Sequence, residues 1–292
     1  MALKTEAIGL AVMTELPLVI INVQRGGPST GLPTKTEQSD LLQAVYGRNG
    51  ECPVAVLAAR SPIDCFHTTL EAFRIATRYM TPVIVLTDGS IANATEVGTI
   101  PRLDGLPPFE VNFRTNAEGY RIYERDENLA RAWVRPGTPG MEHRIGGLEK
   151  DSSNGEVSVD GLNHDTMVRT RAAKIAGISR DIPPINIEGS EKAKLLVIGW
   201  GGTYGSVAEA VRQSVAQGHA VAHVHLRHLN PFPDDLGEIL DRYENILVPE
   251  INMGQLSILL RNRYLKDVTG FNRTEGKPLR VSELCGAIAG LV

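Results

Sequence analysis

Pro17 to Val23 (PLVIINV) and Pro82 to Leu86 (PVIVL) are nearly unbroken apolar runs of strand length, with a shorter one at Val54 to Ala58 between them. A strand wetted on one face alternates apolar and polar residues. A continuous run belongs to a strand covered on both faces, the habit of a parallel sheet between helices. The intervening sequence fits that reading. Ser61-Pro62-Ile63-Asp64 opens a helix with a cap residue, a proline in the first turn and an acid at the positive end of the dipole, and the helix runs to about Tyr79. Strand, helix and strand at this spacing form a parallel α/β unit with right-handed crossovers.

Helical spacing also marks Leu3 to Met13, with Leu3, Ala7, Leu10 and Ala11 on one face, and Glu37 to Tyr46, with Thr36 and Ser39 as cap candidates. No cap residue precedes the first helix, so the chain reads as cut at its front. From Gly98 to about Glu191 the periodicity dissolves among glycines and prolines (101, 107, 108, 136, 139, 183, 184), and only Asn163 to Ile175 is helical. So long an irregular stretch is a wrapping connection or a functional one. The pattern resumes with strands at Leu195 to Ile198, His219 to Leu226 and Ile246 to Val248. Between and after them come helices at Thr203 to Gln217, Asp234 to Tyr243 and Gly254 to Tyr264. Two α/β units result, residues 1–100 and 192–292, joined by an irregular segment, 101–191. The second set of strands is expected to pair in parallel in a sheet separate from that of Pro17 to Val23.

Composition narrows the function classes. The 292 residues carry 30 Lys+Arg against 34 Asp+Glu, a formal charge of −4, which leaves no electrostatic footprint for nucleic acid. Three cysteines, Cys52, Cys65 and Cys285, include no Cys-x-x-Cys pair and cannot build a disulfide framework, an all-cysteine zinc site or a typical iron–sulfur cluster. Cysteines used this sparingly suit a reducing, cytoplasmic compartment. The apolar runs are far shorter than the roughly 20 residues of a spanning helix, and Glu6 and Glu15 break any signal-peptide core.

The loop Gln24 to Gln38, QRGGPSTGLPTKTEQ, follows a buried parallel strand, where open α/β sheets place ligands. Glycines 26, 27 and 31 allow close backbone approach, Arg25 offers a bidentate fork for a carboxylate or phosphate, and Ser29, Thr30, Thr34 and Lys35 add donors. Turn chemistry alone explains the composition, however, and a surface turn with Arg25 paired to a local acid is the simpler reading. Gly199-Trp200-Gly201-Gly202-Thr203-Tyr204-Gly205 also joins a strand to a helix, yet Tyr204 fills the third glycine position of a dinucleotide fingerprint and no acid ends the following strand. It reads as a tight turn with Thr203 as cap. His223 and His225 share a strand face that His228 does not, a poor zinc arrangement. Asp88 and Glu96 read as cleft acids or, equally, as a helix cap and a solvated loop acid.

Family resemblance enters at the loop. VQRGGPSTGLPTKTEQSDL, with YGRNGE, SPIDCF and TPVIVLTDG after it, resembles the 2-oxoacid:ferredoxin oxidoreductases, most of all the α subunit of the 2-oxoglutarate enzymes. GMEHRIGGLEKD, NHDTMVRTRAAKI and IGWGGTYGSVAEAV extend the likeness over nearly the whole chain. The resemblance implies a partial thiamine-pyrimidine-binding domain followed by a transketolase-C-terminal-like domain. It implies a reaction that converts a 2-oxoacid and coenzyme A to acyl-CoA and CO2 and reduces ferredoxin. Thiamine diphosphate and Mg2+ would lie at the interface with a β subunit, and that partner would carry the 4Fe-4S cluster. Arg25 matches the family arginine that contacts the 2-oxoacid, and Ser29 and Thr34 are substrate neighbours in the same motif. The family's activating glutamate and the turns that precede ALKTEAIGLA have no counterpart, since neither Glu6 nor Glu15 matches. The chain is therefore expected to be N-terminally truncated, inactive alone, and poorly covered along its first sheet. The alternative is a non-catalytic docking or regulatory chain.

Overall fold

The first strand of the chain has hydrogen-bonded sheet on one side only. In the computed structural model, which describes residues 1–99, 101–106, 111, 113–190 and 192–292, a helix α1 (Thr5–Thr14) leads into strand β1 (Leu18–Gln24). Next come α2 (Leu41–Tyr46), β2 (Ala55–Ala58), α3 (Pro62–Tyr79), β3 (Pro82–Asp88) and the short α4 (Gly89–Asn93). β1, β3 and β2 are parallel in that order, with Val19 opposite Val83 and Val56 opposite Ile84. α3 starts as its sequence predicts: Ser61 accepts the amide of Asp64, and Glu96 accepts that of Ile63 at 2.8 Å. After the long connection come α5 (Gly161–Gly177), the two-residue strand β4 (Glu188–Gly189), β5 (Leu195–Trp200), α6 (Tyr204–Ala216) and β6 (Val221–Leu226). The chain continues with β7 (His228–Asn230), α7 (Leu236–Asp241), β8 (Asn245–Glu250), α8 (Gln255–Tyr264), β9 (Thr269–Asn272) and α9 (Val281–Ala289). The second sheet runs β4-β6-β5-β8-β9, all parallel except β4, and does not include β1.

Three features differ from the sequence reading. After β6 the chain leaves the second sheet in one residue, Arg227, and β7 pairs antiparallel with β2, closing the far side of the first sheet. The helix expected over Glu37 to Tyr46 is only Leu41–Tyr46, because the amide of Gln38 is engaged by the carbonyl of Ile251 in the other unit. On α1 the buried side is Ile8, Ala11 and Val12, while Leu3 and Leu10 are exposed. Pro107 and Pro108 lie outside the described residues.

Each β-strand of the interior is buried twice. Ile84 and Leu86 of β3 share one continuous apolar core with Leu196, Ile198 and Trp200 of β5, whereas Val83 and Val85 face α3 and α5, and Leu195 and Val197 face α6 and α9. The irregular connection is strapped to the first sheet by charge. Glu15, fully buried at φ 49° after α1, receives both terminal nitrogens of Arg125 at 2.7 and 2.8 Å and Nζ of Lys174 at 2.6 Å. Burial alone would raise the carboxyl; the charge of Lys174 and the bonds and charge of Arg125 override it and hold Glu15 down at about 2. Lys174, the most enclosed member, is pushed below the ordinary lysine value by its burial. Arg131 adds donors to the carbonyl of Thr14 at 3.1 and 3.3 Å, ending α1.

Two predictions follow from these contacts. Glu15→Gln strands two buried cations and should cost about 3–5 kcal/mol, read as a lower urea midpoint at unchanged slope. In the unmodified protein this contribution is complete above the unfolded carboxyl value of 4.5 and is lost as the pH falls from there toward 2, the folded value. Along the open edge of β1, Leu18, Ile21 and Val23 are all exposed. The isolated chain should therefore aggregate, and Ile21→Lys should raise the soluble fraction without moving the melting temperature; unchanged aggregation would clear this edge.

Candidate functional site

The loop between β1 and α2 leaves the carboxyl end of β1 beside that of β3, since Gln24 pairs with Asp88 across the ladder. It is a closed hairpin-like excursion: Gly26 N–H bonds the Lys35 carbonyl at 3.0 Å, and Leu32 N–H bonds the Gly26 carbonyl at 2.9 Å. Gly31, at φ +50°, is required here, because a Cβ would stand 2.0 Å from the Gly26 carbonyl oxygen. Ser29 and Thr34 hold positive φ of 55° and 62° although they are not glycine. Backbone in that region costs of order 1–3 kcal/mol and concentrates at ligand-handling sites. Arg25, Ser29 and Thr34 are all exposed at this end of the sheet. Arg25 makes no ion pair among the described residues, so the simpler sequence reading, an arginine paired with a local acid, is not what the structure contains. Two cavities lie elsewhere: one of about 660 Å³ at the opposite end of the sheet by Arg74, Met80 and Arg131, another of about 230 Å³ by Arg60, Asp64 and His225.

Below the exposed loop lies a buried polar layer that sequence reasoning missed. Asp88 caps α4 by accepting the amides of Ser90 and Ile91 at 2.9 and 3.2 Å; it also accepts Thr36 Oγ1 at 2.8 Å and, through its other oxygen, Gly202 N–H at 3.0 Å. Gln38, fully buried, donates to the Trp200 carbonyl at 2.6 Å and accepts the amide of Ile251 at 3.2 Å. Asn252 donates to the Gln38 carbonyl at 2.8 Å and to Glu250 at 3.0 Å. Glu250, at the end of β8, also accepts Trp200 Nε1 at 3.2 Å, the amides of Leu256 and Ser257 at 2.8 and 3.2 Å, and Ser257 Oγ at 3.2 Å. The sequence marks this layer only in part: Asp88 and Glu250 are acids closing apolar runs, Asp88 reads as a possible helix cap and Thr36 as a cap candidate, and Gln38 carries no signal.

Other candidates have structural uses. Thr203 does not cap α6; its hydroxyl donates to the Trp200 carbonyl at 2.7 Å and tightens the turn before the helix. His223 and His225 share a face with ring centroids 5.8 Å apart, while His228 sits in the other sheet 3.4 Å from Glu71. His225 Nε2 donates to the Gly201 carbonyl at 3.1 Å, and burial drives its pKa well below the usual histidine value. Cys52, Cys65 and Cys285 are half-buried free thiols. Among the described residues no three His, Cys, Asp or Glu side chains gather as metal ligands, and no helix is long and apolar enough to cross a membrane.

Residues 1–160 match the family described as pyruvate flavodoxin/ferredoxin oxidoreductase, thiamine diphosphate-binding, and residues 193–284 match pyruvate:ferredoxin oxidoreductase core domain II. The chain belongs to this family. It is similar to the 2-oxoglutarate oxidoreductase subunit KorA of Mycobacterium tuberculosis, 55% identical over 97% of this chain and 43% of that protein. The 2-oxoglutarate synthase subunit KorA of Archaeoglobus fulgidus is 32% identical over 87% of this chain and 66% of its own length. Among solved structures, the 2-oxoglutarate:ferredoxin oxidoreductase of Magnetococcus marinus, with 2-oxoglutarate, coenzyme A and succinyl-CoA bound, superposes at a TM-score of 0.94. It is 33% identical over 99% of this chain and 51% of that one. The chain thus spans about half the length of several relatives it matches. The α/β architecture read from the sequence is the one the family and the sheets display.

A thiamine cofactor needs an acid at its pyrimidine ring, and the two glutamates of the leading helix do not fit that task. Glu15 is consumed by Arg125 and Lys174, and Glu6 is an exposed residue of α1. What the site does present is an exposed guanidinium on a loop held from below by the hydrogen bonds of Thr36 and Gln38. Glu250→Gln places a donor against donors, and should lower stability by about 1–3 kcal/mol, measured by chemical unfolding; a neutral result would show that this layer carries little of the fold.

Proposed function

We propose that this chain is the α-subunit portion of a 2-oxoacid:ferredoxin oxidoreductase acting on 2-oxoglutarate, and that Arg25 clamps the carboxylate of the 2-oxoacid. The observation that carries the reading is the exposed guanidinium, without an ion pair among the described residues, on a loop with strained Ser29 and Thr34, at the carboxyl end of a parallel strand. A planar fork meets a carboxylate with two charge-assisted bonds, which fixes orientation as well as position. Ser29 and Thr34 contribute hydroxyls beside it. The names of the relatives support 2-oxoglutarate as the substrate and succinyl-CoA as the product.

Thiamine diphosphate, when bound, supplies the nucleophilic carbon and electron sink that such chemistry needs. In this reading the cofactor and Mg2+ sit between this chain and a β subunit, which holds the 4Fe-4S cluster and delivers electrons to ferredoxin, in the cytoplasm. The contribution of this chain is to bind and orient the 2-oxoacid. The sparse cysteines agree with a cluster housed elsewhere. A second reading, a non-catalytic docking chain, draws on the exposed edge of β1.

The test is reconstitution of the full-length α subunit with its β partner, followed by 2-oxoglutarate- and coenzyme A-dependent reduction of ferredoxin. Arg25→Ala should lower kcat/KM for the 2-oxoacid on the order of 10²-fold, the size of a lost positioning contact. Arg25→Lys should recover only part of it, because an ammonium cannot reproduce the fork. Unchanged kinetics in both variants would remove Arg25 from the site, and a complex without such activity would favour the docking reading.

A further inference from the structure

The glycine-rich turn after β5 has no phosphate-binding fingerprint, yet its glycines are tightly specified. A Cβ on Gly202 would stand 2.2 Å from an oxygen of Asp88, and a Cβ on Gly201 would stand 2.8 Å from Nε2 of Gln38. Real Cβ atoms do not approach so closely, so each glycine is required by a side chain of the first sheet and its loop. Asp88 in turn is over-furnished for a helix cap. α4 has five residues, and one carboxylate oxygen suffices to accept its two amides. The same oxygen accepts the Thr36 hydroxyl, and the other accepts Gly202 N–H. Thr36 directly follows Lys35, whose carbonyl is bonded by the amide of Gly26, the neighbour of Arg25. The path from the second sheet to Arg25 thus consists of three hydrogen bonds and two peptide links.

We propose that Asp88, seated on the Gly201-Gly202 turn, is a positioning residue that holds the Arg25 loop through Thr36 and so sets affinity for the 2-oxoacid. This rests on the reading of Arg25 as the carboxylate clamp. Hydrogen bonds to a buried carboxylate are among the stronger ones available to a protein, and the start of α4, the Arg25 loop and the Gly201-Gly202 turn all converge on Asp88. The turn that the sequence reads as a tight strand-to-helix connection is also the seat of the loop's anchor.

Thr36→Val, Thr36→Ser and Gly202→Ala in the full-length αβ complex test this. Thr36→Val removes only the hydroxyl at nearly constant shape, and Gly202→Ala displaces Asp88 from the other sheet. Both should raise KM for 2-oxoglutarate about 10-fold, leave KM for coenzyme A unchanged, and speed amide exchange at Gly26, Leu32 and Lys35 but not in β3 or β5. Thr36→Ser should behave as the unmodified protein. Wild-type KM and loop exchange in Thr36→Val, while Arg25→Ala is impaired, would overturn the proposal. So would loss of protection across both sheets in Thr36→Val, which marks a merely structural contact. Should Arg25→Ala itself be without effect, the clamp reading fails separately, and unchanged loop exchange in Thr36→Val would still overturn the anchoring role.

Discussion

A polar group inside an apolar core is tolerated only when its hydrogen-bonding capacity is met, and the seam between the two sheets of this protein is governed by that requirement. Asp88 and Gln38 lie at or beyond the carboxyl ends of first-sheet strands and bond Gly202 and Trp200 of the second unit, while Glu250 closes β8 within its own sheet and reaches the loop through Asn252, which bonds Gln38. Each unmet group would cost about 1–3 kcal/mol, so the geometry that satisfies all three at once is sharply favoured over a slipped one. The apolar core that runs through both sheets supplies the driving force for association without direction. Direction comes from the carboxylates and the glutamine.

The opposite end of the first sheet solves a different problem by a different means. There the chain must fasten a long stretch with little regular structure, and it does so with Arg125, Arg131 and Lys174 against the end of α1. Ion pairs that deep are a doubtful source of net stability, because desolvation offsets the attraction. Their value is in specificity: the buried Lys174 finds a carboxylate in Glu15 and a carbonyl in Met80, and the wrapping segment is thereby fixed against α1 and the end of α3. Asp181 repeats the device on a half-buried scale, receiving Arg74, Arg78 and the Tyr79 hydroxyl.

What the sequence made legible follows the same physics. Strands buried on both faces announce themselves as continuous apolar runs, so β2, β3, β5, β6 and β8 can be placed from the sequence; β1 shows the same kind of run, yet its Leu18, Ile21 and Val23 are exposed. β7 could not, because three residues entering another sheet carry no periodicity, and β9 with its Thr-Gly-Phe-Asn sequence is half exposed. The helix expected over Glu37 to Tyr46 begins only at Leu41, since local propensity does not reveal that the backbone and side chain of Gln38 are bonded to Ile251 and Trp200. Arg25, Ser29 and Thr34 were reachable through the resemblance of their motif. Thr36, Gln38, Asp88 and Glu250 matter through partners some fifty to two hundred residues away, and no local pattern encodes such a distance.

The anchoring of the loop also bears on Arg25, which makes no ion pair among the described residues. An exposed arginine ordinarily pays a large rotamer entropy when it is immobilised on a ligand. If its backbone were mobile as well, that cost would grow with every residue of the loop that had to be ordered. Here the backbone is already fixed: Gly26 is closed onto Lys35, Thr36 is bonded to Asp88, and Gln38 is locked to the second sheet. Only the side chain of Arg25 remains to be ordered. A rigid stem with one free cationic tip is the arrangement in which a single carboxylate contact can contribute most of its interaction to binding and orientation.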